Sequence, residues 1–315
     1  MAECMIGIVI LNYETWELSM RCMESICISD TGCAARIYLV DNASKKAMPM
    51  TVRKYLAHCE PSVCYIQAEA NLGYAAGNNL GIERALNDGC SVIVVANSDI
   101  VFTDHAVERL AACLLRCPKA GIAGPKVVNE AGQVQISRCS MRTGMKEIVQ
   151  IFTAAKKVFR GKWKKYYCLD KDPDQKDFVY YVSGCCFAVS RECAKKVTPL
   201  DEGTVLYYEE LILGQRMEQA GYQTVYEPAS VVIHRHGATA GTVKPFMHQC
   251  ISQSELYYCS RYAGAEKYQL WLLYQYRRIL YMLRCMKYSE YRKYWKEFKT
   301  AAKKAYDQAV REARR

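Results

Sequence analysis

Four times within its first hundred residues this chain runs a short apolar segment, rich in Val and Ile, into a cluster of polar residues. Met5 to Leu11 leads into Asn12, Tyr13 and Glu14, and Arg36 to Val40 into Asp41, Asn42, Ala43 and Ser44. Val63 to Gln67 leads into Glu69, Ala70, Asn71, Leu72, Gly73 and Tyr74, and Val92 to Ala96 into Asn97, Ser98 and Asp99. Such runs read as buried strands. Between them, Thr15 to about Ile28, Lys46 to His58 and Ala75 to Asn87 carry helical spacing, and Thr15 is placed to cap the first helix. Strands alternating with helices predict right-handed crossovers and a mainly parallel sheet with flanking helices, an α/β fold of Rossmann-like type. In open sheets of that kind ligands bind beyond the carboxyl ends of the strands, where all four polar clusters fall.

Two readings of Asn97-Ser98-Asp99 compete at this level. The three residues can close the strand as an ordinary Asx turn, or Asp99 can hold a divalent cation against a diphosphate. Gly73, Gly77 and Gly81 recur every fourth residue and lack the GxGxxG spacing. The turn after the first strand, Asn-Tyr-Glu, has no glycine, so a nicotinamide-dependent dehydrogenase loses its support. Gly77 and Gly81 read as a small-residue helix face packed on the sheet, while Asn71 with Gly73 points to a tight turn whose amides lie near a phosphate or sugar.

Beyond Asp99, Thr103 or Asp104 can cap a helix to Arg116, and Ala120 to Pro125 reads as a strand. Residues 126–182 break the alternation and contain a basic, aromatic stretch, KKVFRGKWKKYY at 156–167, before Phe178 to Val182 resumes strand character. This half reads as acceptor-binding, with a solvated loop or helix face as the plainer account of the lysines. Ser183-Gly184-Cys185-Cys186-Phe187 turns into a strand, and Gly184 permits close approach of backbone to a sugar. Glu209 and Glu210 then open an amphipathic helix whose Leu211, Leu213 and Met217 can face inward, with Gly221 as its stop. Acidic residues in a first turn complement the helix dipole. Adjacent carboxylates can also raise one pKa toward that of a general base. Val231 to Ile233 ends in His234, followed by His236 and Gly237; His234 reads equally as a structural histidine or a metal-side ligand.

At 315 residues and 51% hydrophobic content the chain can bury a large core. Its 17 cysteines are scattered through apolar segments and form no CxxC…CxxC or HExxH pattern, which points to reduced cytosolic thiols and not to structural zinc. Charge is concentrated at one end. Residues 267–315 hold 14 Lys plus Arg against 4 Asp plus Glu, a surplus of +10, leaving +1 of the total +11 for the rest. That surplus argues for a polyanionic surface met by the tail and against a nucleic-acid-binding core. The tail interleaves tyrosines and tryptophans with basic residues and contains no apolar run of the roughly 20 residues a spanning helix needs. Leu272, Tyr276, Ile279, Leu283 and Met286 recur at helical spacing. The tail therefore reads as a helical element that lies in an anionic membrane interface, folds onto the preceding domain, or forms a homodimer.

IVILNY at 8–13, VDNAS at 40–44, NLGYAAGNN at 71–79, VVANSDI at 94–100, SGCC at 183–186, LYYEELIL at 206–213 and the His234 segment, in that order, resemble family 2 glycosyltransferases of the GT-A fold. The resemblance covers roughly residues 5–240 and lies with the branch that includes bacterial rhamnosyltransferase-like enzymes. It implies a GT-A catalytic domain at 1–250, with a nucleotide-sugar-binding half at 1–125 and an acceptor-binding half at 126–250, and a helical basic-aromatic extension at 251–315. It implies that Asn12, Tyr13 and Asp41 line the nucleotide pocket, that Asn71, Gly73 and Gly184 lie beside nucleotide and sugar, and that Asp99, with Asn97, takes the DxD-like position for Mg²⁺ or Mn²⁺. His234 is the second metal-side candidate. Glu210 falls where the family places its catalytic base.

Three positions depart from the family pattern. Asn-Ser-Asp stands for Asn-Pro-Asp, Glu210 for an Asp, and Ile212 for a further Asp, so the base is Glu210 or its neighbour Glu209. The implied reaction is inverting transfer from a dTDP- or UDP-sugar, rhamnose among the candidates, to a glycan or lipid-linked acceptor in bacterial surface polysaccharide synthesis. The implied place is the cytoplasm or the inner face of the cell membrane. A non-catalytic protein gripping nucleic acid or an anionic membrane with its tail is the alternative.

Overall fold

The computed structural model describes residues 4–26, 33–235 and 244–313. Its first half alternates as the sequence predicts: β1 (Cys4–Asn12), α1 (Trp16–Glu24), β2 (Cys33–Asp41), α2 (Met50–Leu56), β3 (Ser62–Gln67), α3 (Gly73–Asn87) and β4 (Val92–Asn97). There follow β5 (Ile100–Phe102), α4 (Ala106–Arg116), β6 (Ala120–Val128), β7 (Arg138–Cys139), α5 (Met145–Phe152), a 3-10 turn (Ala154–Lys157), α6 (Arg160–Tyr166), β8 (Asp177–Val179), β9 (Tyr181–Val182), β10 (Cys186–Ser190), α7 (Arg191–Val197), α8 (Glu209–Gln219) and β11 (Gln223–His234). The chain ends in four helices, α9 (Lys244–Arg261), α10 (Lys267–Lys287), α11 (Ser289–Lys293) and α12 (Trp295–Glu312).

The main sheet runs β3-β2-β1-β4-β10-β6-β11-β5, with β8 paired to β11. β1, β2, β3 and β4 are mutually parallel, as are β6 and β11, while β10 enters antiparallel between β4 and β6. The mainly parallel expectation holds, with antiparallel inserts. The reason the central strands read as unbroken apolar runs is visible in their burial: Val92, Ile93, Val94 and Val95 are all fully buried, on both faces. Gly77 and Gly81 pack as the sequence predicts. A β-carbon on Gly77 would stand 2.6 Å from Leu11, and one on Gly81 2.4 Å from Val9, so only glycine lets α3 lie this close to β1.

Several local expectations are corrected. Thr15 makes no cap bond; its hydroxyl joins Ser98 Oγ at 2.9 Å and Asn12 Oδ1 at 3.2 Å, and α1 ends at Glu24, with Cys27 and Ile28 outside the described residues. Neither Thr103 nor Asp104 caps α4, because the chain enters it through His105 in the left-handed region. Phe178 to Val182 is two strands in two different sheets, β8 against β11 and β9 against β7. The 156–167 stretch is only partly solvated: Tyr166 is fully buried with Cys139 and Ile151, and its ring meets Phe152 edge-on at 5.8 Å. In α8, Leu211 and Met217 are buried as expected, Leu213 only partly, and Ile212 is core.

The C-terminal helices fold back. Leu256, Tyr258, Leu270, Leu273, Tyr281 and Phe298 form one apolar cluster with Tyr208, Leu211 and Ile212, and Tyr281 stacks on Phe298 at 3.8 Å. Among the described residues no helix is long and apolar enough to cross a membrane.

Candidate active site

At the ends of β1, β2 and β3, Asp41 is the hub of a polar network. Asn12 Nδ2 donates to Asp41 Oδ1 at 2.9 Å, Ser44 donates to the same oxygen through both its backbone N–H and its hydroxyl, and Gln67 Nε2 donates to Oδ2 at 3.0 Å. Trp16, Asp41, Ser44, Lys46, Arg53, Tyr65 and Gln67 line a cavity of about 520 Å³, within the size range of small-molecule sites. Asn12 is fully buried and its carbonyl oxygen accepts from Ser19 and Thr15, so it aims Asp41 and does not itself line the cavity. Tyr13 stands at the surface. Asn71 Oδ1 accepts from Gly73 N and Asn42 Nδ2, both at 3.0 Å, and Gly73 has φ +81°, which fixes a tight turn at the mouth of α3.

The sequence alone does not single out Asn42, Ser44, Tyr65 and Gln67. Ser44 and Asn42 belong to the VDNAS cluster already noted. Gln67 is in parallel register with Asp41, and Tyr65 lies two residues before it on the same strand face, so strand pairing was the signal available.

Where β4 ends, Asp99 is buried, and its Oδ1 faces His234 Nε2 at 3.4 Å. The pairing of β11 with β5, His234 opposite Ile100, brings the two together. Burial alone would lower the His234 pKa, but hydrogen bonding to Asp99 and Cys185 outweighs it and raises it to about 10. Asp99 would offer a divalent cation one carboxylate and His234, once its proton is displaced, one nitrogen; among the described residues no third His, Cys, Asp or Glu joins them in a cluster. His236 and Gly237 lie outside the described residues. Asn97 joins the turn that follows through its backbone, its N–H donating to Cys185 O at 2.9 Å.

That turn, Ser183 to Cys186, also reaches the acidic pair. Gly184 N donates to Glu210 Oε1 at 3.0 Å, and Tyr74 Oη, a residue the sequence reading left without a role, donates to Gly184 O at 2.5 Å. A β-carbon on Gly184 would lie 3.0 Å from Tyr74 Oη and 3.1 Å from Glu210 Oε1, so the close approach glycine permits here is to those two groups. Glu209 lines the same small cavity as Gly184 and Glu210 and accepts from Thr204 Oγ1 at 3.0 Å. Burial, and then the neighbouring Glu210, push the Glu209 carboxyl up to about 8. Tyr207 and Tyr208, which lead into α8, have φ of +73° and +76°, a left-handed conformation costing on the order of 1–3 kcal/mol per non-glycine residue. One such residue is ordinary; two in succession before a candidate base require the fold to hold them.

Residues 7–198 match the family model for glycosyl transferase family 2. The chain belongs to that family. It is 28% identical over 247 residues to the N-acetylglucosaminyl-diphospho-decaprenol L-rhamnosyltransferase of Mycobacterium tuberculosis, covering 74% of this chain and 77% of that protein, which places it in the rhamnosyltransferase-like branch. It is 23% identical over 207 residues to the low-salt glycan biosynthesis hexosyltransferase Agl10 of Haloferax volcanii, covering 65% of this chain and 59% of that protein. Among solved structures, GalNAc-T7 with UDP, GalNAc and Mn²⁺ superposes with a TM-score of 0.58 at 17% identity, over 81% of this chain and 50% of the other. The transferase thus has the GT-A fold with added C-terminal helices, and family membership decides for a glycosyltransferase over the nucleic-acid-binding alternative.

Proposed function

We propose that the chain is an inverting glycosyltransferase that moves a sugar, rhamnose being the leading candidate, from a dTDP- or UDP-sugar to a lipid-linked or glycan acceptor in bacterial surface polysaccharide synthesis. The observation that carries this reading is the Ser183–Cys186 turn. Through Cys185 O it is bonded to Asn97 at the end of β4, and through Gly184 N to Glu210, so donor-side and acceptor-side chemistry meet on one short segment. The relative from M. tuberculosis acts, by its name, on a diphospho-decaprenol carrier, and that name motivates the lipid-linked acceptor.

In this reading Asp41, held by Asn12, Ser44 and Gln67, accepts a hydrogen bond from the base edge, and Tyr13, Asn71 and Gly73 border the nucleotide. Residues 1–125 form the donor half and 126–250 the acceptor half. The extension at 251–315 continues α9, which begins at Lys244. Asp99, with His234 and the neighbouring Asn97, would hold Mg²⁺ or Mn²⁺, which when bound neutralises charge on the departing diphosphate. Glu210 takes the proton of the acceptor hydroxyl as that oxygen bonds to the anomeric carbon and the bond from that carbon to the diphosphate oxygen breaks. A single displacement inverts the configuration.

Calorimetry with nucleoside diphosphates and nucleotide sugars, with and without Mn²⁺, on wild type and Asp99→Asn tests the donor side. Wild type is expected to bind one nucleotide class, with metal strengthening it. Asp99→Asn should weaken the metal-dependent part on the order of 100-fold, since even residues that merely support a ligand cost about 10–100-fold. Superimposable metal titrations of the two proteins would remove Asp99 from the ligand set.

A further inference from the structure

The fold brings together two basic-aromatic segments that the catalytic reading leaves unused, the 154–160 turn and α10. Tyr268, Trp271, Leu272, Ile279, Met282, Leu283 and Met286 are between 47% and 76% exposed. At 100° per residue they fall within an arc of about 120° along about 27 Å of helix, so α10 presents an apolar stripe to solvent, interrupted once by Gln275, whose Oε1 accepts from Arg278 at 3.1 Å.

Both borders of that stripe are cationic. On one side lies Tyr276, whose hydroxyl accepts from Ala154 N at 2.8 Å and so seats the 154–160 turn beside the stripe. That turn carries Lys156, Lys157 and Arg160 together with exposed Val158 and Phe159, and residues 152–167 contain no acidic side chain. On the other side Arg278 of α10 and Lys299, Lys303, Lys304 and Arg311 of α12 line an open groove, where Asp307 is the acidic member and pairs with Lys303. α10 itself contains no Asp or Glu.

From this juxtaposition we infer that the α10 stripe and the 154–160 turn form a docking face for an anionic lipid bilayer. Apolar side chains enter the headgroup boundary while the flanking lysines and arginines meet lipid phosphates. A second copy fits less well. Across a two-fold axis the same stripe would face itself and bring two borders of net positive charge together. The face adjoins the candidate site, because Phe152 at the end of α5 packs on Tyr208, 5.8 Å between rings, immediately before Glu209. The docking is independent of the reaction; only the statement that it carries the site to a lipid-linked acceptor rests on the proposed function.

The test uses the full chain and co-sedimentation at low salt with vesicles of phosphatidylglycerol and phosphatidylcholine, against phosphatidylcholine alone. Binding is expected only to the anionic vesicles, and added salt should weaken it. Lys156→Gln/Lys157→Gln/Arg160→Gln should lower partitioning on the order of 100-fold. Ile279→Asp/Met286→Asp should abolish it, with thermal midpoint and nucleotide binding unchanged in both variants. Equal binding to both vesicle types, or variants that bind like wild type, would overturn the inference. So would absence of vesicle binding, and a concentration-dependent dimer lost in Ile279→Asp/Met286→Asp would then assign the face to a second copy. Nucleotide binding, measured on the same samples, reports on the transferase reading separately.

Discussion

Glu210→Gln is expected to reduce turnover by about 10²–10⁴-fold while leaving donor affinity nearly intact, because the substitution keeps size and polarity but removes the proton acceptor. Its neighbour provides the contrast. Burial and the neighbouring Glu210 push the Glu209 carboxyl up, toward its protonated form, and it accepts from Thr204, whereas the Gly184 N–H donates to Glu210. Glu209→Gln should therefore retain most activity and change stability instead. Between the ordinary value of 4.5 and about 8, the folded protein binds a proton at Glu209 that the unfolded chain releases, so this group makes stability fall as pH rises through that window. The cost is fully present above about pH 8 and absent below about pH 4.5. Thermal melts of Glu209→Gln should accordingly be flatter with pH than wild type and lie above it on the alkaline side. If Glu209→Gln is the inactive variant and Glu210→Gln the active one, the two roles are exchanged.

The first half of the fold was legible because its physical signal is local. A strand buried on both faces must be apolar throughout, and Val92 to Val95 can be little else; the polar residues that stop it then mark the ligand edge of the sheet. Partnerships within that edge were less legible. That Asn12 is buried behind Asp41, or that Gln67 completes its coordination, depends on strand register, which no single segment encodes. His234 shows the same limit. Its meeting with Asp99 follows from an antiparallel pairing across more than a hundred residues of chain, and only the series of family motifs put both residues in one site. The segment 126–182 is the least legible. Its elements are short and its hydrophobic residues serve two sheets and a helical layer, so no single period runs through it. Tyr166 looked like part of a basic surface stretch because its burial is decided by Phe152 and Cys139, not by its neighbours in sequence.

Arg277→Ala is expected to cost about 3–5 kcal/mol of stability, since it strands a buried carboxylate. Glu255 is fully buried, and Arg277 grips it through Nε at 2.7 Å and a terminal nitrogen at 2.6 Å. The same carboxylate accepts from Tyr208 Oη at 2.9 Å, so α9 and α10 hold the second of the two left-handed tyrosines that lead into the acidic pair. Ser254 reinforces the connection, accepting from Val205 N and donating to Leu206 O. On this view the C-terminal helices keep a strained turn in place, and stability and positioning can be separated experimentally. Tyr208→Phe leaves the ion pair intact and removes one hydrogen bond to a charged group, about 1.5–3 kcal/mol. It should lower kcat with little change in the donor KM. Arg277→Met/Glu255→Leu replaces the pair by apolar side chains, which is often near neutral for stability. It should melt close to wild type yet turn over slowly, because Tyr208 has lost its acceptor. If that double variant recovers kcat along with stability, Glu255 and Arg277 serve the fold alone and the turn is held by packing against Phe152 and Tyr258.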